Sequence, residues 1–573
     1  MAEFDEVLDF VVVGSGGGSM CSALVMRQHD KSVLILEKTE FIGGTTARSG
    51  GVMWIPNNRF MMRDGIDDSL EKAEAYLDAV VGNPNDAPGT SRERRRKYLE
   101  EAPRMVDFLV EQGIKLSRAS YWPDYYDDQP GGSEAGRTVI AELFNVNELG
   151  PWKQKLRPGM MATAGDPPAY VEEGMKLRNL KVSGESRATM LKIGLRMIRA
   201  KLTGKHYVTA GAALQGRMLQ AAVKAGVEFR TNTPVEELIV EDGAVKGVRT
   251  VKAGKPWRVG ARLGVLVNAG GFARNQQMRD QYQPGTQAAW SNVPEGDTGE
   301  MIQEMMRLGA RVGQMEEMVG YQSSIAPGTE NDPVKPGLQS ALASPHAILV
   351  DQTGVRYQNE GGSYMAFCRG MLERNRSVPA VPSWGVFDSQ HLRRYGVPGT
   401  MSAAAGKRWI EQGYVRKADS PEALAGLIKA DPATLIASVE RFNGFVAKNK
   451  DEDFHRGDRA YDRWLGDPTH KPSPTLGAIS EGPFYAIPVV PGDVSTYGGV
   501  VTDADARVTR EDGSVIPGLY ATGVSTASVM GRAYPGAGAS VGPSFTWGYI
   551  AAKHALSAEP AGAKPSREKV GAA

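Results

Sequence analysis

The feature that most constrains this chain lies at its start. Residues 8–13 read Leu-Asp-Phe-Val-Val-Val, an apolar, β-branched run of strand length. Gly14-Ser15-Gly16-Gly17-Gly18-Ser19 follows at once. A helical segment then runs from Met20 to Gln28, and a second apolar strand from Ser32 to Leu36 ends in Glu37. Strand, glycine turn, helix, strand and acid together form a dinucleotide-binding pattern. The glycines allow a tight turn and close backbone approach to a pyrophosphate, whose charge sits on the helix N-terminus. Glu37 stands about 20 residues past the turn, the spacing of an acid that bonds a ribose hydroxyl. Ser19 occupies the place of the third glycine, where a small residue can still pack.

More glycine-rich segments follow. Lys38 comes directly after the acid, and a second loop reads Gly43-Gly44-Thr45-Thr46-Ala47-Arg48-Ser49-Gly50-Gly51. Far downstream, the strand Leu263 to Val267 runs into Asn268-Ala269-Gly270-Gly271-Phe272, and 512–523 forms another turn, strand and glycine ending at Gly523. These separated strand ends predict one cofactor domain assembled from distant segments, with inserted elements between them. In this order they resemble the flavoprotein family of fumarate reductases, aspartate oxidase and the 3-ketosteroid dehydrogenases. The resemblance implies noncovalent FAD rather than NAD. It also implies an α/β fold, a Rossmann-type FAD-binding domain with an inserted α+β substrate-binding domain. The expected cofactor contacts are Gly14, Ser15, Gly16, Gly17, Gly18, Glu37, Lys38, Gly43, Gly44, Thr45, Thr46, Ser49, Gly50, Gly51, Val235, Ala269, Gly270, Gly271, Gly523, Ala539, Ser540 and Val541.

The 573 residues suit two or three domains. We expect the cofactor domain at 1–289 and 480–560, the catalytic cap at 290–479 and a flexible tail at 561–573. Residues 59–205 form a helical excursion, of which 59–115 reads as mainly exposed. A helix is expected over 206–225, and a small sheet from 227–230, 238–240 and 248–251. Two cysteines exclude a disulfide framework and a cysteine-built metal site, and the seven histidines show no metal-ligand spacing. A net charge of +1 excludes a global basic field for nucleic acid. Acidic residues occupy the place of a signal peptide's basic region, and no run suits a spanning helix. The expected compartment is the cytoplasm.

The chemistry-bearing candidates are tyrosines. Any one of them more often packs a core than reacts. A hydroxyl can nevertheless hold a ketone oxygen, or, as a phenolate of lowered pKa, take a weakly acidic proton. Pro123-Asp124-Tyr125-Tyr126, the run 354–360 with Tyr364 after it, 453–457 (Asp-Phe-His-Arg-Gly) and Tyr534-Pro535-Gly536-Ala537-Gly538 resemble the 3-ketosteroid Δ1-dehydrogenases. The likeness covers nearly the whole chain apart from about 160–205. It implies that Tyr534 and the Gly538 amide hold the C3 carbonyl oxygen. Tyr364 removes the C2 proton with support from Tyr125, and Tyr126 is the other reading of the doublet. A hydride leaves C1 for the flavin, and an external acceptor reoxidises it. A Δ4-dehydrogenase, a fumarate-type reductase and a non-enzymatic lipid-binding flavoprotein are the competing readings.

The stretch 176–205 carries nine basic residues against one acid, Glu185. Leu191, Leu195, Ile198 and Leu202 fall on one helical face. Peripheral docking on the inner face of the cell membrane and core packing with a solvated face both fit this pattern.

Overall fold

The computed structural model describes residues 3–83, 87–252 and 254–558. The expected tail at 561–573 lies outside the described residues. The strand Glu6–Val13 pairs in parallel with Lys255–Val267 on one side and Val33–Leu36 on the other. Val515–Ala521 extends this sheet in parallel beyond Lys255–Val267, and Glu228–Arg230 extends it beyond Val33–Leu36. Phe10, Val11, Val12, Leu34, Ile35, Val265 and Leu266 are fully buried, as expected of a parallel sheet covered on both faces. Residues 227–230 therefore edge the main sheet and do not join the small sheet expected for them. The antiparallel pair Val235–Glu241 and Ala244–Lys252 hangs from Lys255–Val267.

One cover of the sheet is a helix pair. The helix Gly17–Gln28 packs against the C-terminal helix Val541–Ser557. Small residues allow the close approach: a Cβ on Gly548 would lie 2.2 Å from the Gly18 carbonyl oxygen, and one on Gly17 only 1.8 Å from the Phe545 ring. The C-terminal helix also packs on Arg92–Glu111. That contact buries Tyr98, Leu99, Met105, Val106 and Leu109, so 59–115 is not the exposed segment its charge density suggested. Apart from the buried Arg94, Arg95 and Glu101, its charges occupy the outer face, while the apolar residues recur at helical spacing on the inner one.

A second, antiparallel sheet is built on Phe484–Thr496, which pairs with Met318–Ser323, Ser383–Asp388 and Arg416–Ala418; Ala347–Val350 pairs with Ser383–Asp388. Its central strand comes from chain beyond residue 480. The helix Tyr364–Asn375 lies against this sheet, with Met365, Phe367, Cys368 and Met371 buried.

Gly548→Ala should lower stability by about 1–3 kcal/mol, because the backbone of Gly18 cannot yield to a methyl group. Urea unfolding of the purified variant checks this; an unchanged midpoint would show that the helix pair can separate freely.

Candidate active site

The separated glycine segments meet at the carboxyl edge of the parallel sheet, and Asn268 is their common neighbour. Its backbone N–H donates to Val13 O at 2.9 Å, and its Nδ2 donates to Ser19 Oγ at 3.0 Å. Gly14 sits at φ +92°, where a Cβ would lie 2.2 Å from Asn268 O. A Cβ at Gly523 would lie 2.4 Å from Asn268 Oδ1. Ser19, the departure from the strict glycine pattern, is thus a hydrogen-bond partner of the residue that joins the loops. Gly17 and Gly18 serve the contact with Phe545 and Ser544.

Glu37 is buried at the end of its strand. Its carboxylate accepts from Ser15 Oγ at 2.6 Å, Thr39 N at 2.9 Å and Thr39 Oγ1 at 2.8 Å. The Gly43 amide donates to Ser15 Oγ at 3.0 Å, which ties the 43–51 loop to the first turn. A Cβ at Gly50 would meet nothing within 4 Å, and one at Gly44 only the Gly16 backbone, nearest at 3.6 Å. The backbones of these turns thus line a cradle. Thr45, Thr46 and Ser49 are half-buried beside it. Lys38 points elsewhere, to Thr298 Oγ1 at 2.7 Å and Glu300 Oε1 at 2.8 Å. Val235 is half-buried at the start of its strand. Ala269 N donates to Ser525 Oγ at 3.1 Å, and Ser525 Oγ donates to Gly270 O at 2.7 Å.

Sequence reasoning missed Asp297. It is buried beside Gly270 and Gly271, and neither carboxylate oxygen has a hydrogen-bond partner of normal geometry. Burial pushes its pKa up to about 7, against the pull of the nearby Gly271 amide. A buried, unsatisfied carboxylate costs free energy until a donor such as a ligand hydroxyl reaches it. Nothing in Gly296-Asp297-Thr298-Gly299 distinguishes this acid from a turn residue.

The tyrosines converge where the second sheet's helix meets the chain just before the C-terminal helix. Ring centroids of Tyr364 and Tyr534 are 5.2 Å apart, Tyr125 and Tyr364 5.4 Å, and Tyr125 and Tyr534 5.9 Å. Tyr126 instead lies under the Arg459 guanidinium, 5.2 Å away. Three further tyrosines, unremarked in the sequence, surround the group. Tyr461 stacks on Tyr125 at 4.1 Å, Tyr321 meets Tyr364 at 6.0 Å, and Tyr497 meets Tyr534 at 6.0 Å. Burial raises the phenol pKa of Tyr125, Tyr364 and Tyr534, so all three are neutral at pH 7. The Tyr534 hydroxyl lies 3.2 Å from Ser540 Oγ, and the Gly538 and Ser540 amides face it.

The loop carrying Tyr534 is strapped at several points. Pro535 O accepts from Tyr76 OH at 2.6 Å and Tyr125 N at 2.9 Å, and Ala537 O accepts from Thr138 Oγ1 at 2.9 Å. Gly538 takes φ +93°, where a Cβ would lie 2.3 Å from Val52 O. Ala539 N donates to Gly536 O, and Val541 opens the C-terminal helix. Asp124 accepts from Trp54 Nε1 at 2.7 Å and Arg137 Nη1 at 2.8 Å, and the same guanidinium also binds Asp68. Arg137 thereby fixes the peptide that presents Tyr125.

Similar proteins match this chain over nearly their whole length. The family model described as FAD binding domain matches residues 9–541. The 3-oxosteroid 1-dehydrogenase of Mycolicibacterium smegmatis is 38% identical over 95% of this chain and 96% of its own. The 4-oxocyclohex-2-ene-1-carboxylate 5-dehydrogenase of Sinomonas cyclohexanicum is 31% identical over 95% of this chain and 93% of its own. The structure of 3-ketosteroid Δ1-dehydrogenase from Sterolibacterium denitrificans, in complex with 1,4-androstadiene-3,17-dione, superposes with a TM-score of 0.89 at 35% identity, covering 97% of this chain and all of that one.

Asp297 makes stability depend on pH. Above the ordinary carboxylate range and below about 7, the unfolded chain is ionised at this site while the native chain keeps the proton. Native stability of the cofactor-free protein therefore falls as pH rises through this window. Asp297→Asn should remove roughly 1–4 kcal/mol of that decline between pH 5 and pH 8. Urea titrations at both pH values test this, and identical slopes in variant and wild type would refute it.

Proposed function

The chain belongs to the FAD-binding flavoproteins and, among them, to the 3-oxosteroid 1-dehydrogenases; from that membership we propose that it introduces a C1–C2 double bond into ring A of 3-ketosteroids. It is an FAD-dependent oxidoreductase with the fold shared by the fumarate reductase family. The observation that carries the reading is the convergence of Tyr125, Tyr364 and Tyr534, with centroid spacings of 5.2–5.9 Å.

The donor set fits FAD. The Gly14, Gly16 and 43–51 backbones suit its pyrophosphate, the Glu37 carboxylate a ribose, and the unpartnered Asp297 carboxylate a further hydroxyl. Bound FAD supplies the acceptor for the hydride that leaves C1, and an external acceptor then takes the electrons.

The protein's own residues handle the proton. Tyr534 O–H and the Gly538 N–H donate to the C3 carbonyl oxygen, and the charge they stabilise there acidifies the C2 proton. Tyr364, as its phenolate, takes that proton, and the Tyr125 hydroxyl donates to Tyr364. Because burial opposes this phenolate, it is scarce near neutrality and strongly basic once formed. The rate should therefore rise with pH from 6 to 9.

The membrane reading of 176–205 is also supported. Six of the large hydrophobic side chains exposed by half or nearly so, Met190, Leu191, Leu195, Met197, Ile198 and Leu202, belong to one helix, Gly184–Leu202; Leu191 is 67% and Leu202 82% exposed. Core packing therefore does not cover the Leu191/Leu195/Ile198/Leu202 stripe within this chain. Glu172 and Glu173, just upstream, pair with Lys176, Lys192 and Arg196. Arg199, Lys201 and Lys205 form no ion pair with a carboxylate among the described residues. No described helix is long and apolar enough to cross a membrane, so the attachment is peripheral. Co-sedimentation with phosphatidylglycerol vesicles tests it, and failure to sediment overturns it.

Anaerobic bleaching of the flavin by a panel of 3-ketosteroids, with product analysis, tests the main reading. A C4–C5 double bond, or no bleaching by any steroid, would overturn it. Tyr364→Phe should lower turnover roughly 10²–10⁴-fold, as loss of a positioned base does. Tyr534→Phe should lower it about 10²–10³-fold with weaker ketone binding. Both variants should keep their flavin absorbance; near-normal rates would remove the assigned roles.

A further inference from the structure

Resting on the docking just described, we infer that the 160–205 insertion is also the wall of the substrate's way in, so that the steroid passes from the bilayer to the tyrosines without crossing bulk water. The insertion faces two ways. On the helix Gly184–Leu202, Ser186, Ile193 and Ala200 pack inward, and the Leu191, Leu195, Ile198 and Leu202 stripe lies on the opposite side. Arg199 and Lys201 flank that stripe on its two sides, the arrangement of a helix lying in an anionic interface.

The other end of the insertion reaches the catalytic group. The Arg178 guanidinium lies 5.4 Å over the Trp464 ring, and its Nη2 donates to the Trp464 carbonyl. Trp464 stacks on Trp122 at 5.1 Å and on Tyr461 at 5.7 Å. Tyr461 stacks on Tyr125 at 4.1 Å, which in turn contacts Tyr364. A continuous run of rings therefore joins the insertion to the proposed base. Its outer members, Trp122 and Trp464, offer a steroid apolar surface, while Tyr461 and Tyr125 are buried against each other.

Two details favour a ligand at this wall over packing alone. Trp122 Nε1, Arg178 Nε and Arg178 Nη1 are buried atoms without a hydrogen-bond partner. Buried donors of this kind cost free energy until an acceptor reaches them, and on this inference the oxygens of an entering ketosteroid supply it as the wall parts. Trp122 and Trp464 are also only half-buried, so the run opens outward beside the insertion. Lys181 Nζ donates to Leu392 O at 3.5 Å, which links the insertion to the helix Ser389–Tyr395 that follows the strand Ser383–Asp388 of the second sheet.

The test uses the full FAD-loaded chain and compares one 3-ketosteroid presented in phosphatidylglycerol vesicles or in cyclodextrin, with a dye as acceptor. Leu191→Glu/Leu195→Glu/Ile198→Glu should abolish sedimentation and lower vesicle-borne turnover about tenfold while sparing the cyclodextrin rate. Arg178→Met, with Trp122→Phe as a milder second variant, should still sediment yet lose vesicle-borne turnover selectively. If the wild type sediments but the triple variant keeps its vesicle-borne rate, docking stands and direct delivery fails. Equal loss on both presentations in Arg178→Met and Trp122→Phe also refutes the route. If the wild type does not sediment, the docking reading falls and takes this inference with it.

Discussion

The rest of this structure depends on the parallel pairing of Glu6–Val13 with Val259–Val267. It joins segments more than 240 residues apart and admits Leu519–Ala521 as a further parallel neighbour. Only this register brings Gly14, Gly270 and Gly523 to one sheet edge. Asn268 then locks them, since its amide and carbonyl groups reach the first turn and the last. Long-range pairing of this kind carries a large loop-closure cost, offset by burying strands that are apolar on both faces.

A second constraint fixes the catalytic side. Arg356 donates to Glu360 and Asp451 at 2.7–3.0 Å, and Arg456 Nη1 donates to Glu360 at 3.0 Å, all within the protein interior. Glu360 also accepts from Leu349 N at 3.0 Å. The two runs 354–360 and 453–457, far apart in sequence, are therefore halves of one ion network beneath the segment that presents Tyr364. Against the upward push of its burial, the Arg356 and Arg456 guanidinium groups lower the pKa of Glu360. Deleting one partner would leave an uncompensated charge inside the protein, which costs far more than an exposed pair contributes.

Much of this was legible in the sequence because the relevant signals are local. The first strand, turn, helix and acid occupy 30 contiguous residues, from Leu8 to Glu37. The tyrosine motifs point to residues that the fold brings into ring contact. What escaped notice depends on tertiary neighbours. Gly17 and Gly18 look like phosphate glycines, but a helix arriving from residue 541 onward needs their lack of a side chain. Residues 227–230 read as a strand, but that it edges the main sheet depends on its partner Val33–Leu36, far away in sequence. Asp297 and Tyr461 gain meaning only from what lies beside them in space. The apolar stripe at 191–202 was visible, but only its exposure separates the two explanations offered for it.

The tyrosine group has a consequence that follows from its neutrality. Tyr125, Tyr364 and Tyr534 are all uncharged in the resting protein, and a ketosteroid brings no charge to them. The insertion, in contrast, carries Arg199, Lys201 and Lys205, which have no carboxylate partner among the described residues. Mobile ions screen the second kind of interaction and have little hold on the first. On the proposed docking, added salt would loosen the protein's hold on an anionic surface while leaving little to screen among the neutral tyrosines themselves.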